Sequence, residues 1–225
     1  MPASCVQRKR SQQFFLASLF LLSALRLALF AVELAYDERV DAITNFPVSS
    51  QVFDRNGILL YEFVGEVRRI PVPDSDIPEV LRKATLVAED RHFFWHAGFD
   101  PVGIARAFWN NWQADNGNRQ GGSTLGQQLV KNTVLGRSSS YTDKIEEILL
   151  SVAVDARLSK HDIIHLYLNT IPYGSNVYGV EAASRWYFNK SVKDITVGEA
   201  AILASLPKHP SYLSPFGQHT DELMA

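Results

Sequence analysis

A mainly α-helical domain with a small N-terminal β-hairpin, preceded by one transmembrane helix, is the fold class this sequence predicts. Three observations carry that prediction. Phe14 to Leu34 form a nearly unbroken apolar run behind a basic cluster. One turn signal, Asn56-Gly57, sits between short segments of strand character. From Asp76 onward, apolar residues recur at helical spacing between helix-start signals, with little strand pattern and no internal repeat.

The chain has 225 residues, enough for one domain with a substantial core once the terminal segment is set aside. Its formal net charge of -2 argues against a nucleic-acid partner. The only cysteine, Cys5, lies at the extreme N-terminus, so the sequence offers neither an intramolecular disulfide nor a cysteine-based metal site.

Residues 1–13 read as a cytoplasmic basic tail carrying Arg8, Lys9 and Arg10. Residues 14–34 match the roughly 20 apolar residues that a membrane span needs, with Arg26 placed to snorkel. A basic flank on that side puts the N-terminus in the cytoplasm and everything after the span outside it. No small-x-small cleavage site precedes "YDERVD", so a retained anchor is expected rather than a cleaved signal peptide. Residues 35–47 read as a linker, and 48–225 as one extracytoplasmic domain.

The domain opens with the hairpin: Val52 and Phe53 lead into the turn and Ile58 to Phe63 return. Pro78 suits a first helical position, and Val80, Ala84, Val87 and Ala88 form an apolar stripe behind it. After Pro101, the residues Val102, Ala105, Phe108, Trp109 and Trp112 share a helix face. That face fits core packing and a membrane interface equally. A third helix starts at Ser123 or Thr124 and a fourth runs from about Thr142 to Leu158. Capping boxes at Ser159–Asp162 and Thr196–Glu199 open two more, with another helix starting near Tyr178–Gly179.

Chemistry concentrates in a few places. Glu89 and Asp90 interrupt an apolar helix end beside Phe93 and Trp95. A helix C-terminus and apolar neighbours both raise a carboxyl pKa, as a general base near neutral pH requires. His92 and His96 have the i, i+4 spacing of zinc hydrolases, but Phe93 stands where those enzymes need Glu, so no metal site is expected. In "GGSTLGQQLVKN", Gly121 to Asn132, two glycines lead into a capped helix start of the kind that binds phosphates, with Lys131 following. Glu147 shares a helix face with Leu150, Val154 and Leu158, so it must be paired or line a cleft, and Lys144 is its natural partner. Two carboxylates on separate helices with an anion site between them suggest glycosidic-bond chemistry. "SLPK", Ser205 to Lys208, matches an acylating Ser-x-x-Lys pattern in letters only, because Pro207 breaks the helix that pattern needs.

The segments "EDRHFFWHAGFD", "GGSTLGQQLVKN", "KIEEILLSVAVDARLSKHDIIHLYLN" and "GVEAASRWYFNKSVKDITVGEAAILASLPKHP" follow in that order. Together they resemble the peptidoglycan glycosyltransferases, the glycan-polymerising module of class A penicillin-binding proteins and monofunctional transglycosylases. The resemblance runs from about Val52 to Tyr212. It implies a lysozyme-like, two-lobed helical domain with one lobe dipping into the membrane. It also implies polymerisation of lipid II into β-1,4-linked glycan by an inverting mechanism. Glu89 then takes the role of general base, and Glu147 that of the second catalytic acid, on the diphosphate side. Asp90, Phe93, Ser123, Thr124, Gln127, Gln128, Lys131, Arg137, Lys144 and Asn169 fall at substrate-binding positions, Asp90 as an orienting partner of Glu89. No cofactor is obligatory, and a divalent cation is compatible with the diphosphate. The implied partners are lipid II, the growing glycan chain, membrane lipid and cell-wall synthesis proteins including a separate transpeptidase; no transpeptidase domain and no penicillin-reactive serine are expected in this sequence. Asp143 and Ser139 replace the family's usual arginines, Gly126 a usual threonine, and His165 a usual glutamate. A non-catalytic scaffold of the wall-building machinery and a lysozyme-like muramidase are the rival readings.

Overall fold

The computed structural model describes residues 3–56, 59–63, 68–113, 121–136, 140–174 and 176–208. Helix α1 runs from Ala3 to Thr44. The anchor expectation, residues 14–34, falls on its middle. Taking the described residues alone, no helix is both long and apolar enough to cross a membrane. The side chains of Phe14, Phe15, Leu21, Leu22, Leu25 and Leu29, which the expectation used, lie outside the described residues. The stretch expected as a linker does not begin as one, because 35–44 continue α1 and dock on the domain. Val40 and Ile43 are buried in the main core. Arg157 pairs with Asp37 and, at 2.8 Å, with Asp41, and Arg39 pairs with Glu146.

Strands β1 (Ser50–Phe53) and β2 (Leu59–Phe63) form the expected antiparallel hairpin, with an irregularity at Val52/Phe53. A second pair has no signal in the sequence pattern. β3 (Arg68–Arg69) lies parallel to β4 (Val177–Tyr178), each only two residues long. Arg69 secures this junction. It is buried, donates to Pro47 O at 3.0 Å, and stacks over the rings of Phe46 and Tyr178. Burial pulls its guanidinium below the usual arginine value.

The rest is helical: α2 (Glu79–Glu89), α3 (Pro101–Gln113), α4 (Leu125–Val130), α5 (Tyr141–Arg157), α6 (Lys160–Thr170), α7 (Val180–Phe188) and α8 (Val197–Ser205). α4 packs between α5 and α6, and α2 lies on α8. The core is mostly aliphatic, with Leu125, Leu129, Leu150 and Leu168 fully buried beside Phe93, Tyr167 and Tyr173. Each such side chain contributes on the order of 2–3 kcal/mol by leaving water.

Two expected faces are corrected by the packing. In α2 the buried positions are Leu81 and Thr85, while Val87 is 58% exposed. The inward stripe is therefore Leu81–Thr85–Glu89 at i, i+4, i+8, and it ends on the acid. In α3, Val102, Phe108, Trp109 and Trp112 are all exposed, Phe108 and Trp112 by more than 70%, which removes the core-packing reading.

Candidate active site

Glu89 is the last residue of α2, and Asp90 the residue that caps its end. The chain then makes a short 3-10 turn over Phe93–Trp95 rather than continuing as helix. The turn separates the two histidines. His96 Nε2 meets both Asp90 oxygens at 3.0 and 3.1 Å, while His92 faces Asp100. Among the described residues, no cluster of three or more His, Cys, Asp or Glu could hold a metal ion.

Asp90 also accepts the backbone N–H of Leu125 at 3.1 Å, which fixes the start of α4 against the end of α2. Thr124 caps α4 in a reciprocal box with Gln127: Gln127 N donates to Thr124 Oγ1 and Thr124 N to Gln127 Oε1. The N–H groups of Thr124, Leu125 and Gln127 are thus committed to protein acceptors.

Gly98 holds the same region from beneath. Its carbonyl accepts from Thr124 Oγ1 and from Ser151 Oγ, each at 2.6 Å, joining the 3-10 turn, α4 and α5. Its φ is +84°, and an added Cβ would lie 2.5 Å from Ser151 O, so only glycine fits.

Two polar clusters flank the start of α4. On one side, Gln128 Nε2 donates to Glu89 Oε2 at 2.8 Å, and Tyr167 OH donates to Gln128 Oε1 at 3.0 Å. Tyr167 and Tyr173 are fully buried here. Burial first, and then the neighbouring Glu89 carboxylate, push both phenols well above their ordinary value. On the other side, Lys144 pairs with the buried Glu147 and donates to Ser123 Oγ at 3.0 Å. Lys131, Asp143, Glu146 and Glu147 line one small cleft there.

The binding set predicted from sequence therefore divides. Ser123, Gln128, Lys131, Lys144, Glu89 and Glu147 gather around α4, with Lys131 and Lys144 exposed. Asp90, Phe93, Thr124, Gln127 and Asn169 are buried. Phe93 lies under the Lys160 ammonium, 4.7 Å from the ring centroid, and beside the His96 ring. Asn169 brackets Val72, accepting its N–H at 2.9 Å and donating to its carbonyl at 3.1 Å. His165, in place of a usual glutamate, donates to the same carbonyl at 2.9 Å. Arg137 and Ser139 lie outside the described residues.

The sequence reading missed Gly98, Ser151 and Tyr167. Gly98 is visible as a lone glycine between "HA" and "FD", and Tyr167 as a hydroxyl inside the buried face of α6.

The amide-held carboxylate Glu89 and the lysine-paired carboxylate Glu147 thus sit on either side of one short helix, an arrangement compatible with glycosidic-bond chemistry. The family model described as Transglycosylase matches residues 56–224. The chain belongs to that family. Penicillin-binding protein 1A of Vibrio cholerae is 43% identical over 165 residues, covering 73% of this chain and 20% of that protein. The protein of the same name in Aquifex aeolicus is 44% identical over 170 residues, 76% of this chain and 23% of its own length. Penicillin-binding protein 1F of Bacillus subtilis is 40% identical over 74% of this chain and 23% of that protein. The chain thus spans about a fifth of the length of these relatives. A crystal structure of Penicillin-binding protein 1A from Haemophilus influenzae aligns with 76% of this chain and 16% of that one, at 28% identity and a TM-score of 0.35.

Proposed function

We propose that this domain polymerises lipid II, adding disaccharide-peptide units to a growing glycan with inversion and release of undecaprenyl diphosphate. Glu89 removes the proton from the acceptor's 4-hydroxyl as that oxygen attacks the anomeric carbon of the chain. The diphosphate departs on the Lys144–Glu147 side, where Lys144, Lys131 and Ser123 meet its charge. No cofactor is needed for the proton transfer, and a divalent cation bound to the diphosphate is compatible with it. The observation that carries the reading is the split environment of the acids. Glu89 holds a neutral amide donor, fit for a group that must take up a proton, whereas Glu147 holds the ammonium of Lys144, a cation that also suits a phosphate leaving group.

A membrane setting belongs to the same proposal. Between residues 16 and 30, α1 exposes Leu16, Leu19, Phe20, Leu27 and Phe30, and α3 exposes Phe108, Trp109 and Trp112. Exposed apolar groups of this size suit a bilayer and its interface. In this reading α1 anchors the protein in the cytoplasmic membrane with its N-terminus inside, and α3 rests on the outer leaflet. Lipid-borne substrate, the glycan product and other wall-building proteins, a transpeptidase among them, are then its partners.

Incubating the purified protein with labelled lipid II tests the reading. Expected is long glycan together with released undecaprenyl diphosphate. A muramidase would shorten preformed glycan instead, and a scaffold would leave both substrates untouched. Either result from folded protein overturns the assignment.

A further inference from the structure

We propose that Tyr167 is a positioning residue for Glu89: its hydroxyl locks the side-chain amide of Gln128 so that the NH2 end faces the carboxylate. The proposal rests on the reading of Glu89 as the base and goes beyond it to a group that never meets substrate.

The argument is one of hydrogen-bond direction. Gln128 joins two neighbours through opposite ends, Nε2 to Glu89 Oε2 at 2.8 Å and Oε1 to Tyr167 OH at 3.0 Å. An ionised carboxylate only accepts, so it requires the NH2 end. A phenol can donate or accept and would tolerate either end, but once the NH2 is committed to Glu89 only donation to Oε1 remains. Tyr167 has no exposed surface, and its environment keeps the proton on the oxygen across the working pH range. The amide is thus held at both ends and cannot turn without placing its oxygen against the carboxylate.

Among the described residues, Tyr167 is joined near Glu89 by three other titratable groups. Tyr173 follows α6, and Asp90 and His96 come from the acid's own turn, where they pair with each other. α8, packed on α2, buries Ala200, Leu203 and Ala204, and its carboxylate Glu199 is tied to Lys190. Gln128 supplies a neutral donor to the charged form of Glu89, and its orientation sets that bond.

Removing the Tyr167 hydroxyl should release the amide and weaken its bond to Glu89. Losing a hydrogen bond to the charged form raises a carboxyl pKa. In Tyr167→Phe the acid limb of the kcat profile should move up by about one pH unit, with KM for lipid II little changed. The 13C carboxyl resonance of Glu89 should titrate higher by the same amount, whatever the activity. Gln128→Met should give the same shift with Tyr167 in place, and it carries the test should Tyr167→Phe fail to fold. The double variant should shift no further than Gln128→Met alone, since both remove one bond. An unmoved Glu89 titration in either single variant, or additive shifts in the double, overturns the relay. Glu89→Gln, run alongside, separates the two readings. Residual polymerisation there removes Glu89 as the base, while an inactive Glu89→Gln with an unmoved titration in Tyr167→Phe removes only the relay.

Discussion

Ser151 Oγ stands 2.7 Å from where a Cβ on Gly126 would lie, so these two positions share one space. The hydroxyl uses it to reach Gly98 O at 2.6 Å, while the glycine lets α4 approach α5. The exchange of a usual threonine for Gly126 is thereby explained: in this chain Ser151 occupies the room.

That arrangement predicts a coupled pair. Gly126→Thr alone should cost about 1–3 kcal/mol through overpacking of a buried contact. Ser151→Ala alone should cost about 1 kcal/mol for its lost hydrogen bond. Combined, they should recover much of the first loss. Denaturant unfolding of the four proteins measures the coupling, and simple additivity would refute the shared space.

Glu89→Gln should lower polymerisation by about 100- to 10,000-fold while leaving the fold intact, because removal of a general base falls on the rate of chemistry. The substituted amide still offers an oxygen to Gln128 Nε2, so thermal stability should change little. A stable variant that polymerises within a few-fold of the parent would falsify the role.

Asp143 accepts the N–H of Ser140 at 3.0 Å in the capping box of α5, which gives the departure from arginine a structural purpose. Asp143→Arg should therefore have two opposed effects. Helix stability should fall by about 0.5–1 kcal/mol with the cap. Affinity for a diphosphate-lipid analogue should rise by roughly 1 kcal/mol at low salt, since the new cation lines the cleft with Lys131 and Glu147. Unchanged affinity at low salt would place the diphosphate elsewhere.

Glu199 provides a pH signature away from the site. Its carboxyl is pulled from 4.5 to about 2, chiefly by the Lys190 ammonium and then by the N–H of Thr196. The folded value is below the unfolded one, so the stabilisation is complete above about 4.5 and vanishes as pH falls through about 2. The difference in Tm between the parent and Glu199→Gln should be largest near neutrality and shrink across that window. A difference that ignores pH would contradict the pairing.

Reporters fused after Ala225 test the membrane reading. An exported-type reporter should be active and a cytoplasmic-type one silent. The reverse pattern would remove the anchor and, with it, access to a lipid-borne substrate on the outer face.

The parts of this architecture written locally were legible. The boxes at Ser159 and Thr196 are contained within four residues, and their helices begin where the letters place them. The buried face of α5 was equally readable, because Glu147, Leu150 and Val154 follow helical spacing. What depended on distant packing was not. In α2 the apolar Val87 is left exposed while the polar Thr85 is buried, which no local pattern announces. The Glu89–Gln128–Tyr167 chain links positions 39 residues apart at each step, and no local pattern announces it. The helix-start N–H groups looked open to an anion until Asp90, from another element, occupied one of them.

α1 is continuous from Ala3 to Thr44, and its last turns are clamped to α5 by Val40, Ile43 and the Arg157 pairs. Such a rod, about 63 Å long at 1.5 Å per residue, has no swivel between its free length and its load. Whatever tilts the rod tilts the bench on which Glu147 and Lys144 are mounted. The attitude of the reaction centre is thus inherited from the slope of a helix that takes no part in the chemistry.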